Sequence, residues 1–160
     1  MTKYLPIYFN DHFAGSTAGV ELAKRSAKNN RDNAEFGPAL ARLASEIDED
    51  RESLRRVMAR LDVSPDRIKT TLFWAGEKAG RLKPNGELLQ FSPLSRLVEI
   101  EGLIGGVSGK LSLWRVLLDV QSAEPRLQAA ELTDLADRAE DQLSRLHDLR
   151  CAAARLAFIA

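Results

Sequence analysis

Apolar residues recur at steps of three and four along almost all of this 160-residue chain, and no stretch alternates apolar with polar residues as a half-buried strand would. That periodicity restricts the chain to packed helices, each with one apolar face to cover. The final third carries the longest run: Leu132, Ala136, Ala139, Leu143, Leu146, Arg150, Ala153 and Ala157 form one face, interrupted by a single arginine. With Ser122 as N-cap and Glu124-Pro125 in the first turn, it predicts a helix over roughly 123–158.

Three more helices follow from the same reading. Ser92 as cap and Pro93 at the first helical position start one whose main stripe is Leu97, Ile100, Ile104, Val107, Leu111 and Trp114. Further apolar residues spread around it, so this helix is central or faces a partner subunit. Another runs from about Pro38 to Leu61, with Leu40, Leu43, Ile47, Leu54, Met58 and Leu61 on its buried face. The first covers about Ile7 to Lys28 and contains the run Ala14-Gly15-Ser16-Thr17-Ala18-Gly19. Glycine costs about 1 kcal/mol per residue against alanine inside a helix. Close approach to a neighbouring helix is the expected compensation, both here and at Gly102, Gly105, Gly106 and Gly109.

The links set the topology. The break at Asn29-Asn30-Arg31-Asp32-Asn33 is short, which makes the first two helices antiparallel neighbours, and the last two are joined as closely around 120–124. Residues 62–92 are different: this 31-residue link is far longer than a hairpin needs. It is expected to carry a short helix, with Phe73 and Trp74 packing over a bundle flank or forming a ligand lid, and to cross the bundle lengthwise. The second and third helices are then parallel. The expected architecture over 1–160 is one all-α domain: hairpin, long crossover, hairpin.

Composition narrows the partners. Lys+Arg and Asp+Glu both count 23, so there is no basic excess for coating nucleic acid. No segment approaches the roughly 20 apolar residues of a bilayer span, and the N-terminus lacks the apolar core of a signal peptide. A single cysteine, Cys151, excludes an intrachain disulfide and reads as a structural thiol. Together these predict a cytoplasmic protein without nucleic-acid or membrane partners. The apolar breadth of the third helix predicts a homodimer or larger homo-oligomer.

Polar residues on the buried faces mark the candidate site. Helical wheels place Asp50 and Arg51 inside the apolar arc of the second helix, with Glu46 at its edge. They place Glu101 and Arg115 inside the arc of the third, and Glu140, His147 and Arg150 on the fourth. On the first, Glu21 and His12 flank the Phe9, Phe13 and Val20 stripe. Counted from the two turns, Glu21, Glu46, Asp50, Glu101 and Glu140 fall at similar levels. Converging carboxylates can hold a di-iron or di-manganese centre, because hard cations need anionic oxygen ligands. The same carboxylates can instead pair with Arg51, Arg115 and Arg150 in an interior ion network, with Glu101 and Glu140 buried. His12 lies too far from Glu21 along its helix to share an ion with it, and is expected to stay unliganded.

Segments Asn10–Arg25, Leu43–Leu61, Ser92–Leu117 and Leu135–Leu156 resemble the ferritin-like superfamily of di-iron carboxylate, rubrerythrin-type bundles, and most of all its small uncharacterised bacterial members. The resemblance implies single glutamates on the first and third helices, matched by Glu21 and Glu101. It also implies Glu-x-x-His on the second and fourth. Here those quartets are Glu46-Ile47-Asp48-Glu49 and Glu140-Asp141-Gln142-Leu143, neither with a histidine, and His147 stands one turn further on. The implied metal set is therefore Glu21, Glu46, Asp50, Glu101, Glu140 and His147, incomplete at both pairs. Two functions stay open: a bundle with a vestigial metal site that acts by interaction or small-ligand binding, without a cofactor, or an iron- or manganese-dependent oxidoreductase or iron-handling protein.

Overall fold

The computed structural model describes residues 3–66 and 91–159, and among them every regular element is helical. Helix α1 spans Tyr4–Asn29, α2 Gly37–Arg60, α3 Pro93–Val120 and α4 Ala129–Phe158, with one 3₁₀ turn at Gln121–Ala123. The short helix expected in the crossover, and Phe73 and Trp74 with it, lie outside the described residues.

Local chemistry accounts for most of the boundaries. Pro38 sits in the first turn of α2 and Pro93 opens α3, where a missing N–H costs nothing. The Ser92 hydroxyl accepts the Ser95 N–H at 3.1 Å, the expected cap. Helix α2 ends in a Schellman-type closure: the Val63 N–H reaches the Met58 carbonyl and the Asp62 N–H that of Ala59. Asp62 supplies the left-handed residue this needs, at φ 58°, and buried Val63 seals the end. Helix α4 starts six residues later than Ser122 and Pro125 suggest, at Ala129. Glu124 takes hydrogen bonds from the backbone and guanidinium of Arg126 (3.3 and 2.8 Å), which folds this stretch into a local turn. Arg126 also ties to Asp62, and Leu127 plugs the core, so the residues meant for a first helical turn close the bundle end instead.

Helix α1 packs against α2 and α3, and α4 lies along α3. Arg25 on α1 pairs with Glu99 on α3 at 2.9 Å, and Leu22 lies against Gly102, so α1 and α3 are antiparallel. Arg60 pairs with Glu131 and Glu46 with Arg145, so α2 and α4 are antiparallel too. Phe36 lies under Arg96 (4.6 Å) while Asp50 meets Lys110, which makes α2 and α3 parallel. The chain leaves α2 beside α1, where Asn10 bonds Ser64 and Asp66, and re-enters at Phe91 near the opposite end, by Arg96. The described helices thus form two antiparallel hairpins, α1–α2 and α3–α4, with α2 and α3 parallel. Trp114, Phe9, Phe36, Met58, Ile100, Leu132 and Leu146 are fully buried at their centre.

The glycines do not serve the packing role expected of them. A Cβ at Gly15, Gly19, Gly105, Gly106 or Gly109 would meet nothing within 4 Å; among these two runs only Gly102 has a close neighbour, Leu22 Cδ2 at 2.9 Å. Gly37 is the opposite case, with the Asn30 and Arg31 carbonyl oxygens 2.8 and 2.9 Å from where its Cβ would stand. Gly105→Ala is therefore expected to stabilise the fold by about 1 kcal/mol through helix propensity alone. Gly37→Ala should cost about 1–3 kcal/mol, because the obstructing atoms are backbone. Urea denaturation of both variants checks the opposite signs; two shifts in the same direction would contradict this account of the glycines.

Candidate functional site

Two features meet at the bundle centre, a buried ion network and a cavity beside it. The network is built on Asp50, whose side chain is 1% exposed. Lys110 from α3 and Arg138 from α4 both pair with its carboxylate. Buried Gln142 donates to Asp50 Oδ2 at 3.0 Å and accepts from Lys110. One turn earlier on α2, half-buried Glu46 pairs with Arg145 and with Arg42, the latter at 2.8 Å. Gln142 also reaches Glu46 at 3.4 Å, so the two carboxylates form one array.

The protonation of this array follows from its surroundings. Burial pushes the Lys110 ammonium pKa down, opposed chiefly by the adjacent Asp50 charge. For Glu46, burial works against ionisation, but the hydrogen bonds from Arg145 and Arg42 outweigh it and hold the carboxyl below its ordinary range.

Of the six residues proposed as ligands, the structure brings only Glu46 and Asp50 together. Glu101, Glu140 and His147 are exposed, and Glu21 is half-buried on α1. Glu140 does pair with Arg115, at 2.6 Å, but both side chains are more than half exposed, so the expected interior pair is a surface one. Arg150 is exposed as well. Among the described residues, no three His, Cys, Asp or Glu side chains are grouped as a metal ion would require. Cys151 is exposed rather than a buried structural thiol.

The error lies in helix phase. The buried face of α4 is Leu132, Leu135, Ala139, Gln142, Leu146, Leu149 and Ala153, with Ala136 beside it. Taking Leu143 and Arg150 in place of Gln142 and Leu149 turns the wheel by one residue and carries Glu140 and His147 inward. On α3, Leu103 and Leu113 are buried while Ile104 is only half-buried, so the inward arc includes Lys110 and leaves Glu101 outside. The missed residues, Lys110, Arg138, Gln142 and Arg145, carry a signal only when both wheels are set correctly. Gln142 then stands midway between Ala139 and Leu146 on the heptad seam.

The cavity lies between α1, α2 and α3 and measures about 320 Å³. Gly15 and Gly19 of α1 and Gly106 and Gly109 of α3 line it, so the absent side chains are what open the space. Ile47, Leu54, Val107, Leu113 and Trp114 supply apolar wall. Lys110 and Asp50 form the border with the ion network, and Asp11, His12, Ser16 and Arg51 complete the polar part. Arg51 is held over the Phe13 ring at 5.1 Å.

His12 packs edge-on against Tyr8 at 4.5 Å, and burial pushes its pKa down despite the nearby Asp11 charge. Its folded pKa is thus below its unfolded one, and the unfolded chain binds the extra proton as the pH falls. Stability should decline as pH drops through the ordinary histidine range near 6.5. His12→Gln is expected to flatten that decline between pH 7.5 and 5.5 in thermal melts; parallel curves for the two proteins would contradict it.

Comparison with protein-family models, curated proteins and solved structures returns no match. No described helix is long and apolar enough to cross a membrane.

Proposed function

We propose that this chain is a ferritin-like bundle whose dimetal position is taken by an ion network, and that it acts by binding a small, mainly apolar molecule in the cavity between α1, α2 and α3. The hairpin, crossover, hairpin order supports the ferritin-like part. The donor chemistry supports the vestigial site: Asp50 and Glu46 carry two negative charges and face Lys110, Arg138 and Arg145. Those three cations compensate the carboxylates as metal ions would, so added dications would meet repulsion where a metal centre needs anionic oxygen.

The observation that carries the binding function is the glycine-lined cavity. Its volume falls at the low end of the roughly 300–1,000 Å³ typical of small-ligand pockets. Glycine inside two helices sacrifices stability, and here no packing contact offsets it at Gly15, Gly19, Gly106 or Gly109. A requirement for open space explains those positions.

The test is titration with a neutral apolar probe, 1-naphthalenemethanol, followed by calorimetry. Saturable binding that Gly106→Leu removes in a folded protein is the expected result; no binding to wild type sinks the proposal. In parallel, Fe²⁺ or Mn²⁺ should leave the wild-type melting temperature within about 1 °C. A metal present at 100 times its Kd would contribute about 2.7 kcal/mol, several degrees for this chain length. Such a rise would favour the iron- or manganese-dependent alternative.

We also propose a homo-oligomer built on α3, where Val98 and Val116 are 44% and 39% exposed and, 18 residues apart, share one side of the helix. Light scattering at micromolar concentration should exceed the 17.7 kDa of a monomer.

A further inference from the structure

We infer that the cavity's ligand is a monocarboxylic acid with an apolar body, its carboxylate held by Arg51. This rests on the cavity reading above and adds the chemistry of recognition. The charges on the wall decide it. Asp50 and Lys110 are each other's partners, with Arg138 and Gln142 beside them, and Asp11 in the same wall lies close enough to His12 to act on it. Arg51 is placed differently. Among the described residues its ion-pair partner is its chain neighbour Glu52, 3.7 Å away and beyond hydrogen-bond reach. Its Nε is buried without an acceptor among the described residues, while its guanidinium rests on the Phe13 ring. With its side chain 27% exposed, Arg51 stands at the border of cavity and solvent. Trp114, fully buried in the same wall, carries a second N–H without an acceptor. An occupant bearing acceptor oxygens fits this lining better than a hydrocarbon would.

The open hydrogen-bonding positions of Arg51 select a single negative charge. A guanidinium meets a carboxylate through two parallel hydrogen bonds, and such pairs strengthen as water is excluded. A phosphate dianion would bring a second charge, while the other cation of the wall, Lys110, is already paired with Asp50, and it would lie in a wall that also holds Asp11. A cationic ligand would meet the Arg51 guanidinium and leave its donors unsatisfied. The remainder of the lining, from Ile47 and Leu54 to Val107 and Leu113, takes the apolar body.

Calorimetric titration of the full chain with two acids and their neutral counterparts tests this: octanoate against 1-octanol, and 1-naphthoate against 1-naphthalenemethanol. At least one acid should bind ten or more times tighter than its alcohol; which acid does so separates an alkyl from an aryl body. Arg51→Gln should erase that gap. Arg51→Lys, which keeps the charge but loses the fork, should restore part of it. Equal binding of acid and alcohol to wild type, or a gap that survives Arg51→Gln, overturns the carboxylate inference while the cavity reading stands. Failure of all four compounds overturns both.

Discussion

Replacing Asp50 with alanine is expected to cost about 3–5 kcal/mol, the range for removing one member of a buried ion pair. For a chain of this length that is on the order of 10 °C in melting temperature. The reason is not the lost attraction alone. Asp50 is the common partner of Lys110 and Arg138, and it accepts from Gln142. Without it Lys110, only 15% exposed, keeps a hydrogen bond to Gln142 but only the weaker, more distant influence of the Glu46 charge. Arg138 is 33% exposed and can turn toward solvent. The double variant Asp50→Leu with Lys110→Met removes both buried charges together and should recover most of the loss, because a packed apolar pair replaces a buried ion pair at little cost. Chemical denaturation of the three proteins measures this. A loss below about 1 kcal/mol for Asp50→Ala, or no recovery in the double variant, would show that the network is more hydrated than its burial implies.

Trp114→Ala should be comparably severe, about 3–5 kcal/mol, the usual cost of truncating a large buried aromatic. Trp114 is fully buried and lines the existing cavity. Truncation would therefore enlarge a space of about 320 Å³ that the glycine faces already hold open, with little scope for collapse. Trp114→Phe separates packing from polarity. The indole N–H has no acceptor, so no hydrogen bond is lost, and the phenyl ring retains most of the wall. Its cost should stay below about 1.5 kcal/mol. A Trp114→Phe loss equal to that of Trp114→Ala would mean the N–H has a partner, such as an ordered water.

Legibility varied with how strongly each helix marks its own phase. On α2 the buried residues Leu40, Leu43, Ile47, Leu54 and Met58 leave one consistent arc, and the sequence alone puts Asp50 in it. Glu46 at the edge of that arc is indeed half-buried. On α3 apolar residues occur nearly all round, so a wheel can be turned without obvious penalty, and Glu101 was drawn inward in place of Lys110. On α4 leucine and alanine occupy adjacent seams, with Leu135, Leu149 and Ala153 on one and Leu143 and Ala157 on the other. The true seam contains Gln142, which a search for apolar faces discards. The glycines were legible as costly but not as cavity-forming, because that depends on what the neighbouring helix presents to them.

Periodicity and link lengths, both properties of the chain, determined the helical class, four helix positions to within a few residues apart from the start of α4, and the parallel course of α2 and α3. Apolar spacing and chain reach leave few alternatives at that level. Only the tertiary structure decided which charges meet and where space is left. Asp50 could have faced a metal, Arg51 or Lys110 with the same local sequence. The rotation of α3 and α4 about their own axes settled it, and that rotation comes from packing all four helices at once. Turning a helix by one residue shifts every side chain by about 100°, enough to exchange a buried carboxylate for a buried lysine.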